Sequence, residues 1–217
     1  RGLGDVYKRQ LLIMLSLLSV LQIEAQKTID LSGDWNFEID RQDIGEKEKW
    51  FNQTLQDVIE LPGSMPERLK GDDVTVRTRW TGSLYDSSYY YNPYMEKYRR
   101  EGNVKLPFFL TPDKHYVGVA WYQKEINLPK DWKKERIVLV LERPHIESTV
   151  WVNGHKVGMQ NSLCVAHIYD VTRYVRPGKC NITIRIDNRI KEINVGPDSH
   201  SICLLYTSDA ADDSLRV

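Results

Sequence analysis

The sequence has few of the features that mark nucleic-acid-binding, nucleotide-binding or metal-dependent proteins. Its Lys and Arg residues equal its Asp and Glu residues at 30 each, so the formal net charge is zero and no basic face for nucleic acid is indicated. His145, His155, His167 and His200 do not follow zinc-ligand spacing. A phosphate loop, a Rossmann glycine pattern and a Ser-His-Asp order are also missing. We therefore expect neither a metal nor a cofactor.

Long apolar runs are scarce, and one of them indicates export. Leu11–Leu21 reads LLIMLSLLSVL, which is shorter than the roughly 20 residues that cross a bilayer but fits the apolar core of a signal peptide. Ala25 offers a small residue for cleavage, so residues 11–25 are predicted to be a cleaved signal peptide, with a buried core helix as the alternative. Because no Cys stands directly after the run, we expect a secreted or periplasmic bacterial protein and not a lipoprotein.

Cysteine is rare, and one of the three cysteines lies in an end of the chain that resembles a sequencing adapter. Residues 1–10 (RGLGDVYKRQ) and Cys203–Asp212 (CLLYTSDAAD) resemble in-frame translations of the opposing adapters of a transposase sequencing kit. We therefore predict that residues 1–10 and 203–217 are adapter-derived and exclude them from fold reasoning. Of the three cysteines this leaves Cys164 and Cys180. Export would allow these two to pair, although we expect two buried thiols.

The rest of the chain has the pattern of an all-β protein. In Asn181–Asp187 the isoleucines share one face while Thr183, Arg185 and Asp187 share the other. The apolar run IVLVL at Ile137–Leu141 is typical of a strand covered on both faces, and Asn153-Gly154 is a strong hairpin signal. Further short strands are predicted at Trp121–Leu128, Thr149–Val152, His155–Met159 and Ile168–Thr172, and one short helix within Glu46–Val58. Such spacing predicts a β-sandwich or barrel.

Six phrases in a fixed order carry a resemblance to a known family. The sequence resembles the sugar-binding domain of family 2 glycoside hydrolases, the group of β-galactosidases, β-glucuronidases and β-mannosidases. The resemblance implies that residues 26–202 form a jelly-roll β-sandwich of the galactose-binding-domain type, with a long Tyr-rich insertion. The phrases are Leu31-Ser32-Gly33-Asp34-Trp35, Leu61-Pro62-Gly63-Ser64, Ala120-Trp121-Tyr122, Val150-Trp151-Val152-Asn153-Gly154, Tyr169-Asp170-Val171-Thr172 and Ile186-Asp187-Asn188-Arg189.

The same resemblance implies that this chain is not the catalytic part of the enzyme. In the family an immunoglobulin-like domain and a TIM barrel follow, and the barrel carries both catalytic Glu residues. Retaining glycosidases need two carboxylates about 5–5.5 Å apart, and no spacing marks Glu125, Glu142 or Glu147 as such a pair. We interpret these three as solvated or salt-bridged. We therefore expect a carbohydrate-binding domain of a secreted exo-β-glycosidase that is inactive alone and has no catalytic residue.

Two places are candidate sugar contacts. In relatives, the loop after the second strand of the hairpin brings a polar residue to the mouth of the active site, and that loop here contains Asn161; its alternative role is to close a turn. Tyr90, Tyr91 and Tyr94 lie in the insertion between Pro66 and Val117. Their rings could cover the apolar face of a pyranose, or they could pin the long loop to the sandwich.

Two other functions remain open at this point. A stand-alone carbohydrate-binding module would have the same fold without a catalytic domain after it. A structural sandwich that joins subunits of a homo-oligomer would also fit, since family relatives are often oligomeric. The expected partners are therefore a β-glycoside, the downstream immunoglobulin-like and TIM-barrel domains and copies of the chain, with no nucleic acid.

Overall fold

The computed structural model describes residues 27–78, 88–105, 112–162 and 165–189. The predicted signal peptide at 11–25, the two adapter-like ends and Cys164 lie outside these ranges. No helix in the described ranges combines the length and the apolar character that a bilayer crossing requires.

The described residues form mainly antiparallel strands with a few short helices. The helices are α1 (Ser88–Tyr91) and three 3-10 helices at Trp50–Asn52, Pro93–Tyr98 and Lys130–Lys134. The strands are β1 (Gly33–Asp40), β2 (Asp57–Leu61), β3 (Asp72–Asp73), β4 (Lys114–His115), β5 (Val119–Leu128), β6 (Val138–Leu141), β7 (Glu147–Val152), β8 (His155–Asn161), β9 (His167–Asp170) and β10 (Gly178–Asp187).

A six-stranded antiparallel sheet is the framework of the fold. Its strand order is β2-β1-β5-β10-β7-β8, while β6 pairs with β9 and β3 pairs with β4. The apolar faces of the large sheet and of the β6-β9 sheet enclose one hydrophobic core, to which β1, β5, β7, β9 and β10 all contribute buried side chains. Two sheets packed face to face make a β-sandwich. The predicted fold class is therefore confirmed.

Local sequence signals account for the most regular parts of this sandwich. In the turn between β7 and β8, Asn153 has φ of 49° and Gly154 has φ of 78°, as a two-residue hairpin turn requires. In β10, Ile182 and Ile184 are buried in the core between the sheets, as the alternating pattern predicts. In Tyr169-Asp170-Val171-Thr172, the Asp170 carboxylate accepts hydrogen bonds from the Thr172 backbone N–H at 3.1 Å and from its hydroxyl at 2.6 Å.

The run at Ile137–Leu141 behaves differently from its prediction as a strand covered on both faces. In β6, Leu139 and Leu141 are buried while Val138 and Val140 are only half-buried. Both valines line a cavity of ≈ 740 Å³ beside β6. The lining of this cavity is mainly aliphatic, so it offers few partners for sugar hydroxyls.

The outer face of the large sheet is a second core, which the strand pattern did not predict. Trp121 and Trp151 lie on this face with ring centroids 5.0 Å apart, and both are almost completely buried. The segment between β1 and β2 covers them: the Phe51 ring stacks on Trp151 at 5.2 Å, and Trp50 lies 6.1 Å from Trp121. The short helix expected within Glu46–Val58 is the 3-10 helix of this cover.

Candidate functional site

One row of polar side chains crosses the large sheet at its end. In the antiparallel registers, Asp187 of β10 lies opposite Glu147 of β7, and Glu147 lies opposite Asn161 of β8. Residues directly opposite each other share a face of a sheet, so these three side chains lie on the outer face. Arg185, two residues before Asp187, lies on the same face.

Arg185 is the centre of a charge cluster on this face. Its side chain is 9% exposed, and its guanidinium lies 2.7 Å from the Asp43 carboxylate, 3.4 Å from Glu147 and 3.6 Å from Asp187. Arg189 lies 2.6 Å from both Asp43 and Asp187. Two guanidinium groups therefore join three carboxylates, and Asp43 ties the segment after β1 to the end of β10.

The protonation of this cluster follows from its contacts. Burial alone would raise the pKa of Asp43, but hydrogen bonds from Arg185 and Arg189 outweigh burial and hold that pKa below its usual value. The carboxylate of Asp187, and then that of Asp43, raises the pKa of Arg189. The ion pair between Asp43 and Arg189 therefore stays formed at neutral pH.

A buried polar network lies on the inner side of the same end of the sandwich. The Ser148 hydroxyl is 2.6 Å from His167 Nδ1 and 2.8 Å from the Tyr169 hydroxyl. His167 Nε2 is 3.2 Å from the carbonyl oxygen of Ser162. A carbonyl only accepts, so Nε2 carries the proton and Nδ1 accepts from Ser148. Burial lowers the pKa of His167, against the opposing effect of the Ser162 carbonyl, and the neutral ring is favoured.

The structure places the predicted sugar contacts on different elements of the fold. Asn161 is exposed and is the last residue of strand β8. Tyr90 and Tyr91 lie in α1 and Tyr94 in the following 3-10 helix, with exposures of 40%, 72% and 84%. The Asn92 side chain caps that helix by accepting from the Tyr94 backbone N–H at 3.0 Å. The tyrosines thus lie on two consecutive short helices, whereas Asn161 ends an edge strand of the large sheet.

A family comparison agrees with this sandwich. The family model described as "Glycosyl hydrolases family 2, sugar binding domain" matches residues 28–195. The chain belongs to this family.

Relatives of this family 2 domain are found among β-glucuronidases. A β-glucuronidase of Paenibacillus borealis is 28% identical over 160 residues, which cover 73% of this chain and 21% of that protein. The human β-glucuronidase is 30% identical over 91 residues, covering 39% of this chain and 14% of that protein. The crystal structure of Ruminococcus gnavus β-glucuronidase superposes with a TM-score of 0.51 at 21% identity, covering 79% of this chain and 23% of that one. The chain therefore spans about a fifth of the bacterial relative and supplies an N-terminal sugar-binding domain.

Two acidic side chains of this family 2 domain that the sequence singled out, Glu125 and Glu147, are engaged in ion pairs. Glu125 lies 2.7 Å from the Lys179 ammonium, and Glu147 pairs with Arg185. This confirms the interpretation of these two residues as salt-bridged. Within the described ranges, no group of three or more His, Cys, Asp or Glu side chains is placed to hold a metal ion. Cys180 is a buried free thiol whose pKa is raised by burial.

Sequence reasoning missed the charge cluster, although part of its signal was present. The alternation of β10 places Arg185 and Asp187 on one face, and Asp187 and Arg189 belong to one of the six family phrases. Asp43 carries no such signal, since it lies 142 residues before Arg185. The contact between them depends on how the segment after β1 folds over the sheet, which periodicity does not report.

Proposed function

We propose that this chain is the N-terminal sugar-binding domain of a secreted, exo-acting β-glucuronidase. The observation that carries the proposal is the family match over residues 28–195, combined with relatives named as β-glucuronidases. Those relatives favour a β-glucuronide over the β-galactoside that the group as a whole would also allow. An immunoglobulin-like domain and a TIM barrel would follow in the full-length protein.

In this proposal the domain binds and positions sugar, and the barrel cleaves it. Glycosidic cleavage needs one carboxyl group that donates a proton and a second that attacks the sugar or activates water. Glu147 and Asp187 are held by arginines on the outer face of the sheet, and Glu125 is held by Lys179. Each of these carboxylates is therefore already engaged by a cationic side chain, and none is paired with a second carboxyl group for this chemistry. The chain alone is therefore expected to be inactive.

The exposed tyrosines are the proposed aromatic contact. Tyr91 and Tyr94 present most of their surface to solvent, although large aromatic side chains usually bury much of theirs. A Tyr ring offers an apolar face to the C–H groups of a pyranose and a hydroxyl to its polar edge. Exposure at adjacent short helices supports a platform over the alternative that these two side chains anchor the loop.

Replacing Tyr91 or Tyr94 by Ala in the full-length enzyme is expected to raise KM for a β-glucuronide about 3–10-fold, with kcat unchanged, since a ground-state contact is lost. Steady-state kinetics measure the effect. Tyr91→Phe and Tyr94→Phe are the matched controls, because they keep the ring and should retain most of the affinity. Unchanged KM in both Ala variants would leave these tyrosines as loop anchors.

The alternative of a stand-alone binding module gives a different result for the isolated chain. A module binds sugar by itself, whereas a pocket completed by a neighbouring barrel does not. In a calorimetric titration of the chain with D-glucuronic acid and with a β-glucuronide, we expect no saturable binding with Kd below about 1 mM, roughly −4 kcal/mol. A saturable isotherm in that range would favour the module.

A further inference from the structure

The end of β8 is fastened to the opposite sheet by a side chain. β8 is one of the two edge strands of the six-stranded sheet, and the ends of edge strands fray readily because one side has no partner strand. The Gln160 amide forms two hydrogen bonds with the backbone of Ile168 in β9: Nε2 donates to the carbonyl at 2.5 Å, and Oε1 accepts from the N–H at 3.3 Å. The Gln160 side chain thereby links the two sheets through hydrogen bonds to the backbone, as a neighbouring strand would within one sheet.

Ser162, on the other side of Asn161, is also held at both of its backbone polar atoms. Its N–H donates to the carbonyl of Ile146 at 2.8 Å, just before β7. Its carbonyl accepts from His167 Nε2 at 3.2 Å. The ring of His167 is itself fixed, since Nδ1 accepts from the buried Ser148 hydroxyl at 2.6 Å. Both residues that flank Asn161 are thus anchored, and each anchor includes a group on β9.

Asn161 itself lies on the other face of the strand. Successive residues of a strand alternate between faces, so the inward anchor at Gln160 directs Asn161 outward, into the row with Glu147 and Asp187. Anchors on either side restrict the backbone torsions of the residue between them. A surface Asn fixed in this way loses less conformational entropy when it binds a ligand than one on a frayed strand end.

We propose that Gln160 and His167 are positioning residues that hold Asn161 in its sugar-binding geometry. The proposal rests on the proposed function, in which Asn161 contacts the sugar. Neither residue touches substrate. Their effect on binding passes through the backbone of residues 160–162, and the hydroxyl of Ser148 sets the orientation of the His167 ring.

The test is a double-mutant cycle in the full-length enzyme, with KM and kcat for a β-glucuronide as readouts. Asn161→Ala is expected to raise KM about 3–10-fold, as the loss of one hydrogen bond does. Gln160→Ala and His167→Phe should each raise KM by a similar factor at unchanged kcat. In combination with Asn161→Ala they should add nothing further, because all three act on one contact.

Two controls separate positioning from a general loss of structure. His167→Gln keeps an N–H donor that can reach the Ser162 carbonyl, and it should restore KM close to wild type. Gln56→Ala removes an exposed Gln that bonds only the nearby Thr54 carbonyl in the described structure, and it should leave KM unchanged.

The possible failures point to different parts of the account. If Asn161→Ala raises KM but Gln160→Ala and His167→Phe do not, or if their effects add to it, the positioning role is overturned while the sugar contact stands. If Asn161→Ala leaves KM unchanged, the contact is overturned and the positioning role with it. If no β-glucuronide is hydrolysed by any variant or by the wild type, the proposed activity itself has failed, and the positioning role that rests on it falls as well.

Discussion

Replacing Arg185 by Ala is expected to lower the free energy of unfolding by about 3–5 kcal/mol. The guanidinium of Arg185 is buried between Asp43, Glu147 and Asp187. Removing it takes one positive charge away from Asp43, Glu147 and Asp187, while Arg189 still pairs with Asp43 and Asp187. The cost of an uncompensated buried charge is larger than the value of the ion pair itself. Chemical denaturation of the chain at neutral pH measures it.

An exposed ion pair of the same residue types provides the control. Arg136 lies 2.9 Å from Asp170 with its side chain 75% exposed, and exposed pairs contribute little to stability. The pKa of Asp170 lies at about 2 because of hydrogen bonds from Thr172 first and from Arg136 second, so it keeps strong partners without the arginine. Arg136→Ala should leave the denaturation midpoint unchanged. Equal losses for Arg136→Ala and Arg185→Ala would mean that the Arg185 cluster is solvated.

Trp121→Ala is expected to cost about 3–5 kcal/mol of unfolding free energy, as large core truncations do. The Trp121 ring is fully buried on the outer face of the large sheet, with Trp151 and Trp50 against it. Its indole N–H also donates to Asp40 Oδ2 at 3.1 Å. The experiment therefore tests whether the segment between β1 and β2 closes a second core there.

Two variants calibrate that result. Trp121→Phe keeps a smaller ring in the same place and should lose less than Trp121→Ala. Tyr94→Ala removes an aromatic ring that is 84% exposed, and it should change stability by no more than about 0.5 kcal/mol. A Trp121→Ala loss as small as that of Tyr94→Ala would show that the outer face is open to solvent.

The sandwich itself could be predicted from the sequence because its strands carry local signals. Alternation assigned the isoleucines of β10 to one face, and Asn153-Gly154 marked the turn between β7 and β8. Both signals arise within a few residues, where side-chain direction and turn geometry depend on the local backbone. The fixed order of the six phrases also allowed the family to be predicted.

The coverage of each face could not be predicted in the same way. The alternating pattern predicts which residues share a face of the sheet, but it does not predict which segments pack over that face. Thr183, Arg185 and Asp187 read as an ordinary polar face, yet all three are buried, because the segment between β1 and β2 folds over the sheet. In β6 the opposite error occurred: a fully apolar run indicated cover on both faces, whereas Val138 and Val140 are half-buried.

The candidate site shows the same limit. Asn161 was predicted as a sugar contact because the corresponding loop of family relatives reaches the active site. The tyrosines were predicted because they are concentrated in a long insertion. The anchors around Asn161 had no signal, because Gln160 and His167 acquire meaning only when β8 and β9, which belong to different sheets, come together. Contacts between the two sheets cannot be predicted from local sequence patterns, because the residues that form them are brought together only by the fold.

The most direct test of the central claim is the specific activity of the full-length enzyme on matched β-linked aryl substrates: a glucuronide, a galactoside and a mannoside. The account predicts that the full-length protein hydrolyses the glucuronide with a kcat/KM at least about 100-fold above the other two, a margin within reach when a site must pair a charged sugar group. It also predicts that the 217-residue chain hydrolyses none of them. Preference for the galactoside or mannoside, or turnover by the chain alone, would contradict it.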